Sequence, residues 1–344
     1  MSQEKTLPKS SPNPIIPPVE DFLDLTLRPN RWDDYIGQDK VKENLRVMIE
    51  AAKQRHEAPE HLLFYGNPGL GKTTLAHLVA QEIGQEIKIT SGPAIEKAAD
   101  LAAILTNLSE NSVLFIDECH RLNRIVEEFL YPAMEDYKIN LILGKGPMAR
   151  TMELEVPKFT LIGATTRLAA MSGPLRSRFG ATFGLNFYDI TDLEKILQRT
   201  TKVLEVSAEP AALRLIAERS RFTPRTANHL LKRVRDFSQI KGEKTISEQS
   251  TKEAFAALEV DPQGLTKNDT RILEAIICKF NGGPVGLQTL AAATAEEKDT
   301  ILDIYEPYLM RLGFIDRTPR GRVATKLAFN YLNTKLNSPQ REFL

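Results

Sequence analysis

The stretch HLLFYGNPGLGKTTLA, residues 61–76, decides the fold. Its first five residues read as a buried strand, and its last four open a helical pattern that continues to residue 83. Between them, Gly66-Asn67-Pro68-Gly69-Leu70-Gly71-Lys72-Thr73 matches GxxxxGK[ST] both in spacing and in its strand-to-helix setting. Gly66, Gly69 and Gly71 let backbone N–H groups approach phosphate oxygens, and the helix N-terminus adds positive potential. Lys72 supplies a point charge, Thr73 offers a hydroxyl to magnesium, and Thr74 reaches a further phosphate.

Short apolar runs recur downstream at 113–116 and 159–163, with helical periods between them, including 126–134. Strands alternating with helices specify an α/β fold built on a parallel sheet. The second run delivers Asp117 and Glu118 to a strand end, where Asp117 would hold the magnesium shell and Glu118 would polarise an attacking water. From the third emerge Thr165 and Thr166, either of which can sense a γ-phosphate. A turn then carries Arg176 and Arg178, too far along the chain to fold back easily on their own phosphates, so one of them is expected to serve a neighbouring subunit.

Ahead of this region an amphipathic helix begins at Asp39, with Val41, Leu45, Met48, Ile49 and Ala52 on one face. Residues 1–20 hold five of the twenty prolines and no hydrophobic period, and read as a flexible tail. The large α/β domain therefore spans 21–188. After Tyr188 the strand signals stop, and 189–260 offers only helical periods, the mark of a small helical lid. There Thr223-Pro224-Arg225 reads as an N-cap, a first-turn proline and an arginine that opposes the helix dipole unless it points at a phosphate. Helical patterns beyond the Asp261-Pro262 boundary end in 314–317, a turn at 318–321, and 322–324, which suggests a winged helix over 261–344.

Composition narrows the function. The 344 residues carry 45 Lys plus Arg against 45 Asp plus Glu, so polyanion binding requires a local patch rather than a bulk field. Arg311, Arg317, Arg320, Arg322 and Lys326 against Asp316 supply one at the wing, suited to gripping phosphates without reading bases. Two cysteines, Cys119 and Cys278, lie far apart without CxxC spacing, which argues against a disulfide framework or a zinc site and for a reducing, cytoplasmic location. Neither a membrane-length apolar run nor a secretory signal is visible. Ile139, Leu141 and Leu143, then Gly144 to Pro147, then Met152, Leu154 and Val156 alternate as a β-hairpin.

Together these features resemble the AAA+ ATPases. Leu27-Arg28-Pro29, Ile36-Gly37-Gln38, the runs at 91–97 and 131–136, Gly163 to Arg167, and Arg317 to Arg322 resemble the RuvB family of bacterial branch migration motors over nearly everything after Asp21. The resemblance implies a hexameric ring that hydrolyses ATP with Mg2+ and drives duplex DNA through a Holliday junction. It further implies loading by the junction-binding protein RuvA, work beside the resolvase RuvC, and a place in recombination, repair and the SOS response. By motif matching, Leu27, Arg28 and Tyr188 would sit near the adenosine, and Glu135, Asp136 and Tyr137 beside the nucleotide. Arg178 rather than Arg176 matches the trans finger, Arg225 the lid sensor, and Lys298, Arg317 and Arg322 the DNA contacts. The hairpin matches the docking element for the junction-binding partner, so Ile139→Asp is expected to abolish partner binding and spare ATP hydrolysis. Lys298 stands where arginine is usual, Cys119 where an aliphatic is usual, and Phe222 where glycine is usual. Two rival readings are a clamp-loader-like switch, disfavoured by the winged C-terminal part, and a winged-helix DNA-binding regulator whose nucleotide site only gates assembly.

Overall fold

A computed structural model describes residues 26–143 and 150–336; the expected tail at 1–20 and the hairpin turn at 144–147 lie outside the described residues. The central strands are β1 (Leu62–Tyr65), β3 (Ser112–Asp117) and β6 (Phe159–Thr165), all but their last residues buried or, in β6, buried throughout. Helices cover both faces, so the strand interiors are shut off from water and the sequence shows near-continuous apolar runs. Two further strands, β2 (Ile87–Ser91) and β7 (Ala181–Gly184), complete an all-parallel sheet of order β2-β3-β6-β1-β7. The sequence reading missed both. They are edge strands, half-exposed and interrupted by Lys88, Thr90, Thr182 and Gly184, so neither forms an apolar run.

The expected helices appear with little change. Helix α1 (Asp39–Arg55) buries Leu45, Ile49 and Ala52, and α2 (Lys72–Ile83) starts at Gly71 and stops at Gly84, both in the left-handed region. After α3 (Ala98–Thr106), α4 (Arg124–Glu135) is capped by the Asn123 side chain, which accepts from the Val126 N–H. Strands β4 (Lys138–Leu143) and β5 (Arg150–Glu155) pair antiparallel between α4 and β6, as the alternation predicts. A short helix α5 (Gly173–Ser177) precedes β7.

The lid is four helices: α6 (Ile190–Val203), α7 (Pro210–Glu218), α8 (Pro224–Ile240) and α9 (Glu248–Ala257). To the helical expectation the structure adds two-residue strands β8 (Ser207–Ala208) and β9 (Thr245–Ile246), paired in parallel. One apolar core runs from the α1–α2 face of the sheet into the lid, joining Phe64, Leu75 and Phe115 to Leu193, Ile216, Leu231 and Phe255. The other sheet face packs a second core of Leu63, Leu114, Phe159, Leu130, Ile139 and Phe179.

A third core, from Leu265 to Ala328, belongs to the C-terminal part. There α10 (Lys267–Glu274) runs into a π turn at Ala275–Lys279, and α11 (Leu287–Thr294) leads to a helical stretch at 298–311 whose centre, Ile301–Tyr305, is also a π turn. The wing is β10 (Ile315–Thr318) and β11 (Gly321–Ala324), followed by α12 (Lys326–Leu336). Thr318 pairs with Gly321, so the turn is one residue tighter at each end than the sequence suggests. No helix among the described residues is long and apolar enough to cross a membrane.

Phe159 is fully buried in the second core, whereas Ile125 on α4 is exposed. Phe159→Ala should therefore cost about 3–5 kcal/mol, read as a lowered urea midpoint. Ile125→Ala should stay within about 0.5 kcal/mol.

Candidate active site

The carboxyl ends of β1 and β3 open onto one cavity, where parallel sheets present their loops, and the end of β6 lies between them in the sheet order. Gly69 and Gly71 hold φ of 80° and 98°, a region that costs other residues strain. A Cβ on Gly71 would meet the Tyr35 hydroxyl at 2.8 Å, and one on Gly69 would meet Arg225 Cβ at 3.0 Å, so the loop is walled in on both sides. Lys72 lies across its own loop, donating from Nζ to the carbonyls of Gly66 at 2.7 Å and Asn67 at 3.0 Å. Burial lowers its pKa, and Asp117 and Glu118 oppose that shift.

Asp117 and Glu118 also line the cavity, together with Thr73 and Thr74. The Glu118 N–H donates to Asp117 Oδ1 at 2.9 Å, and Glu118 sits in the left-handed region, which turns its carboxylate out of the strand. Thr166 donates from Oγ1 to Glu118 Oε2 at 3.3 Å, and His120 Nδ1 lies 3.1 Å from the same oxygen. Thr165, fully buried, places its Oγ1 3.0 Å from His120 Nδ1. The two threonines thus differ in partner: Thr166 touches the Glu118 carboxylate, and Thr165 holds the histidine beside it. Burial and then the neighbouring Asp117 charge raise the Glu118 pKa, while burial and then Arg167 lower that of His120. A raised pKa makes the ionised Glu118 a stronger base than an ordinary carboxylate. Buried Cys119, whose thiol is pushed far up by desolvation, has its Sγ 3.8 Å from Met171 Sδ and offers no nucleophile.

Leu27, Arg28 and Tyr188 stand on the same cavity, and Arg225 projects into it from the first turn of α8. Sequence reasoning missed Tyr35 and Arg199. The Tyr35 and Tyr188 hydroxyls lie 3.2 Å apart, each within reach of the Leu70 carbonyl, and Arg199 holds the Leu27 carbonyl at 2.9 Å. Burial raises both phenols, Tyr188 to about 12, so both remain neutral donors. Tyr35 adjoins the Ile36-Gly37-Gln38 motif, which marks it in retrospect; Arg199 is one arginine on an amphipathic helix and carries no such mark.

Other expected residues lie elsewhere. Arg178 lines no part of this cavity: its guanidinium stacks over the Tyr131 ring at 4.1 Å, its Nη1 donates to the Pro174 carbonyl at 2.8 Å, and its Nη2 pairs with Glu135 at 3.1 Å. Glu135 thereby joins Arg178, and Asp136 and Tyr137 follow it at the end of α4, away from the phosphate loop. On the wing, Arg317 is exposed, but Arg322 is turned inward, donating from Nε and Nη2 to Glu306 Oε2 at 3.0 and 2.8 Å. The expectation that Arg322 grips DNA is corrected to this extent: its fork is already engaged by a buried carboxylate. Lys298 is exposed at the start of the 298–311 stretch.

The hairpin also needs correction. Ile139 is 0% exposed and belongs to the second core, so Ile139→Asp would bury an unpaired charge rather than probe a docking face. Its face runs outward through the pairs Ile139–Leu154 and Leu141–Met152, and Met152 is 41% exposed. Leu143 ends β4, and its side chain lies outside the described residues.

Three family descriptions match the chain: the Holliday junction DNA helicase RuvB P-loop domain over residues 27–185, the RuvB AAA lid domain over 188–261, and the RuvB C-terminal winged helix domain over 262–333. A Holliday junction branch migration complex subunit RuvB from Dehalococcoides mccartyi is 58% identical over 311 residues, covering 90% of this chain and 89% of that protein. Its counterpart in Chloroflexus aurantiacus is 55% identical, covering 96% and 93%. Among solved structures, the Thermotoga maritima RuvB Holliday junction branch migration motor superposes with a TM-score of 0.83 at 46% identity, covering 90% of this chain and 98% of that one.

With Glu118 as the proton acceptor, its raised pKa means that turnover should fall as pH drops through a value above that of a free glutamate. Glu118→Gln should abolish this acid limb and reduce ATP turnover about 10²- to 10⁴-fold while nucleotide binding persists. Steady-state phosphate release across pH, with binding measured in parallel, checks both.

Proposed function

The chain belongs to the RuvB family, and from that premise we propose how its residues divide the work of an ATP-driven Holliday junction branch migration motor. One observation carries the reading. The phosphate loop, Glu118 and Thr166 converge at one site, while Arg178 is presented elsewhere, outside the cavity it would need to reach in its own subunit.

In this reading Leu27, Arg28 and Tyr188 hold the adenosine, and Gly66, Gly69, Gly71, Lys72, Thr73 and Thr74 hold the phosphates. Thr73 and Asp117 are hard oxygen donors on the same cavity and fit magnesium, while no cluster of three or more His, Cys, Asp or Glu among the described residues forms a cage by itself. Magnesium would neutralise charge between phosphate oxygens there. Glu118 orients and deprotonates the attacking water, Thr166 senses the γ-phosphate, and Thr165 fixes His120. Arg225 brings the lid onto the phosphates through the contact of its backbone with Gly69. Arg178, with Glu135, Asp136 and Tyr137, serves the nucleotide of the next subunit, which makes hydrolysis depend on a hexameric ring. The functional division is an N-terminal tail at 1–20, an ATPase domain at 21–188, a lid at 189–260 and a DNA-binding winged helix at 261–344, in the cytoplasm.

On the DNA side, exposed Lys298 and Arg317 grip phosphates among the other exposed cations of the wing, and Arg322 fixes the wing through Glu306. The outer part of the β4–β5 hairpin, at Leu141, Leu143 and Met152, docks RuvA, and RuvC acts on the same junction.

Lys72→Ala and Arg178→Ala should each lose ATP-dependent conversion of a synthetic four-way junction when RuvA is present. Mixing the two should restore part of it, since a Lys72→Ala subunit can lend Arg178 to a neighbour with an intact loop. No restoration at any ratio, with both variants assembled, would place Arg178 in cis. Brisk ATP hydrolysis without junction movement would favour a switch, and tight binding to one operator a regulator. Met152→Asp should weaken RuvA binding at least about tenfold with ATP turnover unchanged, whereas Ile139→Asp should lower the melting temperature.

A further inference from the structure

Immediately after Thr165 and Thr166, the chain turns an arginine toward the winged helix. Arg167 donates from Nε to Asp303 Oδ1 at 2.7 Å and from Nη2 to Asp303 Oδ2 at 2.5 Å, with Asp299 Oδ1 3.2 Å from the same Nη2. A two-pronged pair of this kind fixes orientation as well as distance. Behind the fork, the Arg167 N–H donates to Thr165 Oγ1 at 2.9 Å; that hydroxyl lies 3.0 Å from His120 Nδ1, which in turn lies 3.1 Å from Glu118 Oε2. An unbroken run of polar contacts thus joins the water-polarising carboxylate to Asp303.

A second arm reaches the same turn from the lid. Arg221, four residues before Arg225, donates from Nη2 to the Ile304 carbonyl at 2.9 Å and from Nη1 to the fully buried Asp269 at 3.0 Å, and stacks over Tyr308 at 4.5 Å. Ile301–Tyr305 is the π turn of the 298–311 stretch, a local irregularity common at functional sites. The stretch begins at exposed Lys298, and Glu306, just past the turn, holds Arg322 and lies 3.9 Å from Arg317 Nε. The same stretch therefore meets the chain after β6 through Asp299 and Asp303, the lid through Ile304 and Tyr308, and the wing arginines through Glu306.

We propose that the 298–311 stretch is the lever through which the nucleotide state of a subunit moves its own winged helix, with the Arg167–Asp303 pair as its coupling. This rests on the motor reading above. Arg167 is a positioning residue: its donors are taken by two carboxylates, and it lines no part of the nucleotide cavity. When hydrolysis changes what Thr166 and Glu118 contact, the end of β6 shifts and Arg167 carries the shift to Asp303. Arg221 supplies the pivot from the lid side. The stretch is held at once by the residue after the β6 threonines, by the lid and by the wing, which is the contiguity such coupling needs.

The test uses the full-length protein with RuvA and a synthetic junction. Asp303→Asn keeps the shape and removes the charge of a partly exposed side chain. It should leave basal ATP turnover and duplex binding within about twofold, and lower junction conversion per ATP hydrolysed by about tenfold. The exchanged pair Arg167→Glu with Asp303→Arg should recover part of that loss. Independently, dyes on exposed Cys278 and on Ile125→Cys, with buried Cys119 unlabelled, report the distance between winged helix and ATPase domain by energy transfer. Its change between ATP-analogue and ADP states should shrink in Asp303→Asn. Unchanged conversion per ATP and an unchanged distance response, in Asp303→Asn and in the double variant with Asp299→Asn, would overturn the lever. Should the exchanged pair fail to fold, the Asp303→Asn result and the distance response decide. Junction movement that persists in Lys72→Ala would instead sink the motor reading itself.

Discussion

A lysine ammonium taken out of water at the carboxyl edge of a parallel sheet sets the terms for the rest of this molecule. Lys72 is 7% exposed, and desolvation of such a charge is tolerated only among oxygens aimed at it. Two loop carbonyls from its own turn supply part of that environment, and Asp117 and Glu118 from β3 supply the counter-charge. The strand order then has a consequence. Because β6 lies between β1 and β3, the threonines at its end emerge between the loop and the carboxylates. Thr166 and Glu118 meet because the sheet sets their strands side by side, although 48 residues separate them in the chain.

The same loop couples the sheet to the lid. Gly69 leaves no room for a side chain beside Arg225, and Tyr35 and Tyr188 close over Leu70 from the other side. A single apolar core continues from the sheet into α6–α9, so lid and sheet cannot separate without exposing it. The remaining ties between the sheet, the lid and the C-terminal part are polar side chains outside that core. Arg167 and Arg221 reach the 298–311 stretch, and Arg225 meets Gly69.

Much of the fold was legible from the residues because burial on both faces leaves an unmistakable record: β1, β3 and β6 are apolar runs, and α1, α2 and α4 carry stripes at helical spacing. Edge strands β2 and β7 were not, since one side faces water and their polar residues mimic loops. Alternation marked the β4–β5 hairpin but could not say which rungs are buried at its base, and so Ile139 was read as a docking residue when it is a core residue. Arg317 and Arg322 are indistinguishable as basic residues of one wing; only Glu306, reaching them from another helix, separates the exposed cation from the buried one.

The phosphate loop, the paired carboxylates, the order of the three structural parts and the family were readable in the residues alone, because each depends on residues close together in the chain or on periodicity within one element. The packed fold was needed to settle that Thr166 and not Thr165 touches Glu118, that Arg178 pairs with Glu135 and lines no part of its own nucleotide cavity, that Arg322 is buried, and that Arg167 meets Asp303 across 136 residues. Each of those outcomes turns on which side chain reaches a partner on a distant element. Spacing along a chain holds no record of that, since it is settled only when cores pack and charged groups must find counter-charges or water.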